Sequence, residues 1–251
     1  MKMANNVIFC AGATPACRFA RTYLKDAGLP VTDVLQPDIC HLLLDVPSFG
    51  PDGNLRSGGS IKDLLTDNVI VYGGNLEHPE LQNHTVVDFL KDDVYLAQNA
   101  RITAEAALDV ALPCLSVTLQ ECPVLIIGWG RIGKCLSQLL RSIGADVAVA
   151  ARKASDRAIL SALGYRALDI DGLVQNLAPF RLVYNTVPHP VLSREQTLYC
   201  RKDCVLIDLA SRQGIDHENV IIARGLPGIH FPESSGKLIA QTFLNYYHKE
   251  V

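Results

Sequence analysis

VLIIGWGRIG, residues 124–133, carries four apolar residues into a turn with three glycines, Gly128, Gly130 and Gly133. The segment after it, IGKCLSQLLRSIG, repeats its apolar residues at helical spacing. Glycines at this spacing are a weak signal alone, but between a strand and a helix they acquire a mechanism. The first makes a tight turn, the second lets backbone approach a pyrophosphate, and the third lets the helix pack on the strand. The helix start then presents unpaired N–H groups and partial positive charge to phosphate oxygens. Gly128, Trp129, Gly130, Arg131, Ile132 and Gly133 are therefore candidate dinucleotide-binding residues. For Trp129, the single tryptophan, packing and cofactor contact are equal readings.

Downstream, DVAVAAR, YRALD, LVYNTV, VLIDLAS and VIIARGL continue the alternation, giving six strands with VLIIGWG, the count of a doubly wound Rossmann sheet. A protein that binds NAD presents an acid to the ribose about twenty residues after the turn. Here Arg152 and Lys153 stand at the strand end, with Ser155 nearby. Two cations suit a 2′-phosphate, so NADP is expected ahead of NAD; plain surface charge is the competing reading.

Upstream, VIFCAG (7–12) reads as a strand, 15–27 as a helix, and 31–35, 41–46 and 68–74 as strands. SFGPDGNLRSGGS (48–60) reads as a mobile loop. ITAEAALDVALPCLSVTL reads as a helix that Pro113 kinks or ends. The expected architecture is α/β with two domains: residues 1–118, a smaller flavodoxin-like substrate domain, and 119–251, the Rossmann domain. A closing helix over 234–248, with two serines to cap its start, is free to pack back on the first.

A net charge of -3 supplies no basic field, so nucleic acid is not expected as a partner. No apolar run is long enough for a membrane, and MKMANNVIFCAGATP breaks too early for a signal-peptide core, so a cytoplasmic protein is expected. The eight cysteines are scattered. Cys200 and Cys204 form the nearest pair but lack a second pair for zinc, so no metal and buried, reduced thiols are expected.

GWGRIG, the strand end AARK, YNTVP (184–188), IDLASRQG (207–214) and GLPGIHFPESSGKLIA (225–240), with YLAQNARITAEAAL upstream, together resemble the family of dipicolinate synthase A subunits of spore-forming bacteria. The strong matches lie in the second half, and against that family the first domain reads as short. The resemblance implies oxidation of dihydrodipicolinate to dipicolinate with NADP, a role in sporulation, and work in concert with a separate B subunit. Whether the chain forms a homo-oligomer stays open. More broadly it is similar to the D-2-hydroxyacid dehydrogenases, which place a substrate-gripping arginine after the fifth strand, where Arg212 lies. Their histidine–carboxylate pair is not evident, since His230 and Glu233 do not fit that pattern.

In such folds substrate lies outside the carboxyl ends of the strands. Further cofactor candidates are Asn185, Thr186, Val187 and Pro188, then Asp208, Leu209 and Ala210. Asn185 and Thr186 are read either as ribose contacts or as ordinary turn residues. Substrate candidates are Ser48, Thr103, Ser211, Arg212, Pro227, Gly228, Ser234 and Ser235, and catalytic candidates Arg212, Asn99, Glu105 and His230. Arg212 leads because a planar guanidinium holds a carboxylate bidentately, with a structural salt bridge as its alternative. Thr103 and Glu105 equally suit a helix start. Two other functions stay open: an NADP-dependent hydroxyacid-type dehydrogenase, and a cofactor-binding regulator without chemistry.

Overall fold

The computed structural model describes residues 7–250; Met1–Asn6, which open the segment read as lacking a signal-peptide core, and Val251 lie outside them. The chain divides into two compact units, one running to Asn99 and resuming at Pro227, the other Ala100–Leu226. This corrects the single division expected at 118/119. The unit edge falls instead within one continuous helix, which has no compositional break to mark it.

In the first unit the elements are β1 (Val7–Cys10), α1 (Pro15–Asp26), β2 (Val31–Thr32), β3 (Ile39–Leu43), β4 (Ile70–Gly73), β5 (Val86–Asp88) and the start of α2 (Asp93–Ala111). The five strands are parallel in the order β2-β1-β3-β4-β5, the flavodoxin-like arrangement. Ile8, Leu42, Leu43 and Val71 are fully buried, as strands covered on both faces require. The closing helix, numbered α7 (Pro232–Glu250), belongs to this unit and lies on α1. Gly236 permits that approach: a Cβ there would stand 2.5 Å from the Ala16 carbonyl oxygen and from Phe19 Cβ.

At the turn between β1 and α1, the Asp45 carboxylate accepts from the amides of Ala13 and Thr14, both at 3.0 Å, and from Thr14 Oγ1 at 2.6 Å. Thr14 Oγ1 in turn accepts from Cys17 N, capping α1. Asp45, just beyond β3, is 2% exposed. It is an anion built into a helix start.

Three local expectations need correction. Residues 48–60 are a tied loop: Arg56 N donates to Ser48 O, Gly50 N to Asn54 O, Phe49 bridges Leu55, and Leu55 is buried. α2 begins at Asp93, where Asp92 accepts from Val94 N and Tyr95 N, so Thr103 and Glu105 lie well inside it and not at its start. α7 begins at Pro232, whose missing N–H suits a first helical position; Ser234 and Ser235 fall within its first turn and not at a cap. Pro113 does follow the end of α2, in a short 3₁₀ turn over Leu112–Cys114.

In the second unit β6 (Pro123–Ile127), α3 (Arg131–Ser142), β7 (Asp146–Ala151), α4 (Ala154–Ala162), β8 (Arg166–Asp169), β9 (Leu182–Asn185), α5 (Arg194–Thr197), β10 (Val205–Asp208) and β11 (Ile221–Ile222) follow in turn. α6 (Leu226–His230) leads to α7. The six parallel strands are ordered β11-β10-β9-β6-β7-β8, the Rossmann order read from its far edge. Order reverses between β6 and β9.

No helix among the described residues is long and apolar enough to cross a membrane, and none of their His, Cys, Asp and Glu side chains form a metal-binding group of three. All eight cysteines are free thiols. Cys10, Cys17 and Cys122 are buried, and burial pushes the Cys10 thiol up to about 12; Cys114, against expectation, is exposed.

Candidate functional site

Parallel strands bring all their carboxyl ends to one edge, so the turns after β6, β7, β9 and β10 are gathered on one side of the second unit's sheet. Each glycine of GWGRIG has a distinct environment there. Gly128 has φ +111°, and a Cβ on it would stand 2.3 Å from Thr186 Oγ1. A Cβ on Gly133 would stand 2.2 Å from the Gly128 carbonyl oxygen, within the helix–strand contact. A Cβ on Gly130 would meet nothing within 4 Å. Packing explains the first and third glycines; open space at the second is what an approaching phosphate needs. Gly130 also stands at the N-cap of α3, and no side chain caps that helix. A helix start without a side-chain cap is, in general, a place where an anion can be bound.

Trp129 is half-buried, edge-on to Tyr165 at 5.9 Å, with Lys134 Nζ 5.7 Å from its ring centre. At the end of β7, Arg152 and Lys153 are exposed and have no ion-pair partner among the described residues. Sequence reasoning missed Arg157, which donates to the carbonyls of Ala151 (2.9 Å) and Arg152 (2.6 Å) and pairs with Asp169 at 2.8 Å. It fixes the strand end and neutralises the nearest acid of β8. An arginine three residues into a helix looks like surface charge until the fold turns it back.

Asn185 and Asp208, expected from sequence to contact the cofactor, are fully buried and bonded to each other at 3.0 Å. Asn185 also donates to Val187 O and accepts from Val187 N. Asp208 accepts from the amides of Ala210 (3.0 Å), Gly214 (2.7 Å) and Ile215 (3.1 Å). Their side chains shape the turns after β9 and β10. Thr186 donates to Ile127 O at 3.0 Å and borders Gly128, as does Val187. Pro188 is exposed, whereas Leu209 and Ala210 are buried. Beyond them Ser211 and Arg212 stand exposed, and Arg212 has no ion pair among the described residues, which removes the salt-bridge alternative within them.

On α2, Thr103 is 8% exposed and Glu105 pairs with Arg101 at 3.3 Å on the outer face. In the first unit, Ser48 is buried, donating to Asp45 O and accepting from Gly74 N, so its hydroxyl holds the β3 and β4 ends together. Asn99 is half-buried on α2. Pro227, Gly228 and His230 are half-buried in α6; on α7, Ser234 is exposed and Ser235 buried.

No protein-family model matches the chain. The A subunit of dipicolinate synthase from Bacillus subtilis (strain 168) is 26% identical over 160 residues, 61% of this chain and 54% of that relative, so the chain matches about half the relative's length. The crystal structure of the dipicolinate synthase A subunit from Bacillus halodurans superimposes with a TM-score of 0.83 at 20% identity, over 96% of each chain. A transhydrogenase from Sinorhizobium meliloti shares the fold at a TM-score of 0.70 and 12% identity, over 96% of this chain and 92% of that one. In sequence and in fold, the chain is similar to the A subunit of dipicolinate synthase.

Proposed function

We propose that the protein is a cytoplasmic NADP-dependent oxidoreductase that oxidises dihydrodipicolinate to dipicolinate for spores, in concert with a B subunit. The observation that carries the cofactor is the contrast within one turn: Gly128 and Gly133 are packed, while Gly130 faces open space at an uncapped helix start. The unpaired Arg152 and Lys153, with no acid at the end of β7, favour a 2′-phosphate. The sequence similarity to the dipicolinate synthase A subunit supports the substrate.

Bound there, NADP would supply the hydride acceptor that turning dihydrodipicolinate into the aromatic dicarboxylate requires, the accompanying proton leaving to solvent. The chain's own work is to hold and orient. The α3 amides take the pyrophosphate, Thr186 and Val187 border the turn, and Arg212 grips a carboxylate. Because aromatisation drives the step, a strong base is dispensable, which fits the lack of a hydroxyacid-type histidine–carboxylate pattern.

The test follows NADPH formation from freshly generated dihydrodipicolinate, with the B subunit present or absent. Replacing Arg212 by lysine (Arg212→Lys) loses most activity, since a point charge cannot reproduce the planar fork, while His230→Ala loses much less. The reverse ranking, or reduction of a simple 2-oxo acid at a comparable rate, would move the protein to hydroxyacid-type chemistry.

A further inference from the structure

Arg224, which follows β11, has a fixed position and an unused face. Its Nε donates to the Ala210 carbonyl at 2.9 Å, on the turn that carries Ser211 and Arg212. The residue is exposed and has no ion pair among the described residues. One donor of a five-donor group is therefore committed, and it is the one that sets the plane of the fork. β10 and β11 are adjacent and parallel, and the Ala223 amide extends their ladder to the Asp208 carbonyl at 2.9 Å. Adjacent strands lie about 4.8 Å apart, so the turns after β10 and β11 that carry Arg212 and Arg224 are neighbours at one edge of the sheet. The nearest buried acid, Asp208, is saturated by Asn185 and three backbone amides and claims neither arginine.

We infer that Arg224 binds the second carboxylate of a planar dicarboxylate whose first carboxylate is held by Arg212, and so sets the preference for dicarboxylates over monocarboxylates. This rests on the substrate class proposed above and adds the residue that selects it. In the sequence, the arginine after the fifth strand stands out, and the one after the sixth, in VIIARGL, does not.

Calorimetry on the full chain with saturating NADPH tests this, using pyridine-2,6-dicarboxylate and pyridine-2-carboxylate as probes. A charge-assisted hydrogen-bonded contact corresponds to roughly 10- to 150-fold in affinity. The wild type prefers the dicarboxylate by a factor in that range. Arg224→Gln, whose amide still reaches toward the Ala210 carbonyl, binds the two probes alike with NADPH and monocarboxylate affinities unchanged. Arg212→Gln weakens both probes. A glutamine variant that keeps the preference overturns the assignment, and so does one that loses NADPH affinity in step with the dicarboxylate. A wild type that binds NADPH but neither probe removes the proposed substrate class and this inference with it. Binding of both probes without preference removes the inference alone. Should the glutamine variant not fold, Arg224→Met is judged by the same ratio.

Discussion

The two sheets solve the same problem in opposite ways. Each begins with a strand, a tight turn and a helix at the place where strand order reverses, β1 to α1 in one unit and β6 to α3 in the other. Each turn exposes helix-start amides that need an acceptor. In the first unit the neighbouring strand supplies one: Asp45 reaches across from β3 to the amides of Ala13 and Thr14. In the second unit the matching position after β9 is Thr186, whose hydroxyl turns back to Ile127 O, and α3 is uncapped. A carboxylate from within caps one helix start; no side chain caps the other. The fold alone therefore does not distinguish the two helix starts, and the residue beyond the adjacent strand does.

The comparison breaks most visibly at Asp45. Removing a buried carboxylate with three donors in Asp45→Ala is expected to cost about 2–3 kcal/mol, since a hydrogen bond to a charged group is worth roughly 1.5–3 kcal/mol and the freed amides recover part of it from water. Thermal unfolding measures the loss. If Asp45 stands in for an anion, sulfate restores part of the lost stability in the variant and adds less to the wild type. A variant as stable as the wild type, or indifferent to sulfate, would leave Asp45 as an ordinary turn residue.

The glycines sharpen the contrast within the second unit. Gly133→Ala forces a Cβ to within 2.2 Å of the Gly128 carbonyl, so α3 must shift, at about 1–3 kcal/mol of stability. Gly130→Val puts its side chain into open space, so melting is unchanged while NADPH affinity falls at least tenfold, a loss of about 1.4 kcal/mol or more. Equal NADPH binding by Gly130→Val and wild type is the result against a pyrophosphate at this turn.

Much of this is legible in the sequence because it depends on local spacing. The glycine turn, the six-strand alternation and the stop at Pro113 each follow from a few neighbouring residues. The failures share another cause, since they turn on partners distant in sequence. Asn185 and Asp208 look like loop-end ligands until 23 residues of chain fold back and bond them to each other. Asp45 carries no motif, because its partners lie 31 and 32 residues earlier. Arg157 and Arg224 read as solvent charge until backbone carbonyls are found for them. The start of α2 is hidden for a nearer reason: Asp92 caps it within DVYLAQN, which lacks the apolar period of the segment that follows.

A smaller effect is expected at the 2′-position. Arg152 and Lys153 share the end of β7, so removing one leaves the other to hold part of a phosphate. NADPH is expected to bind at least about tenfold tighter than NADH, at the low end of a charge-assisted contact, and Arg152→Ala narrows that gap without changing NADH affinity. Parallel titrations measure both. Equal wild-type affinities would return the two cations to plain surface charge.

The smallest change is spectral and uses an asymmetry between the units: the single tryptophan lies in the second. Its emission therefore reports on the glycine turn and on no other part of the chain. Trp129 is half-buried between Tyr165 and Lys134 within the glycine turn, so a reduced nicotinamide dinucleotide bound there as proposed is expected to accept energy from its excited state. NADPH is expected to quench Trp129 emission saturably, with the dissociation constant found by calorimetry. Trp129→Phe should keep the calorimetric affinity while losing the signal, because packing against Tyr165 needs an aromatic ring and not the indole N–H. A tryptophan signal that is unmoved while calorimetry records saturation would place the bound nicotinamide away from this turn. If Gly130→Val still quenched normally, the turn itself would lose its claim to the cofactor, and the contrast between the two helix starts would reduce to a difference in capping.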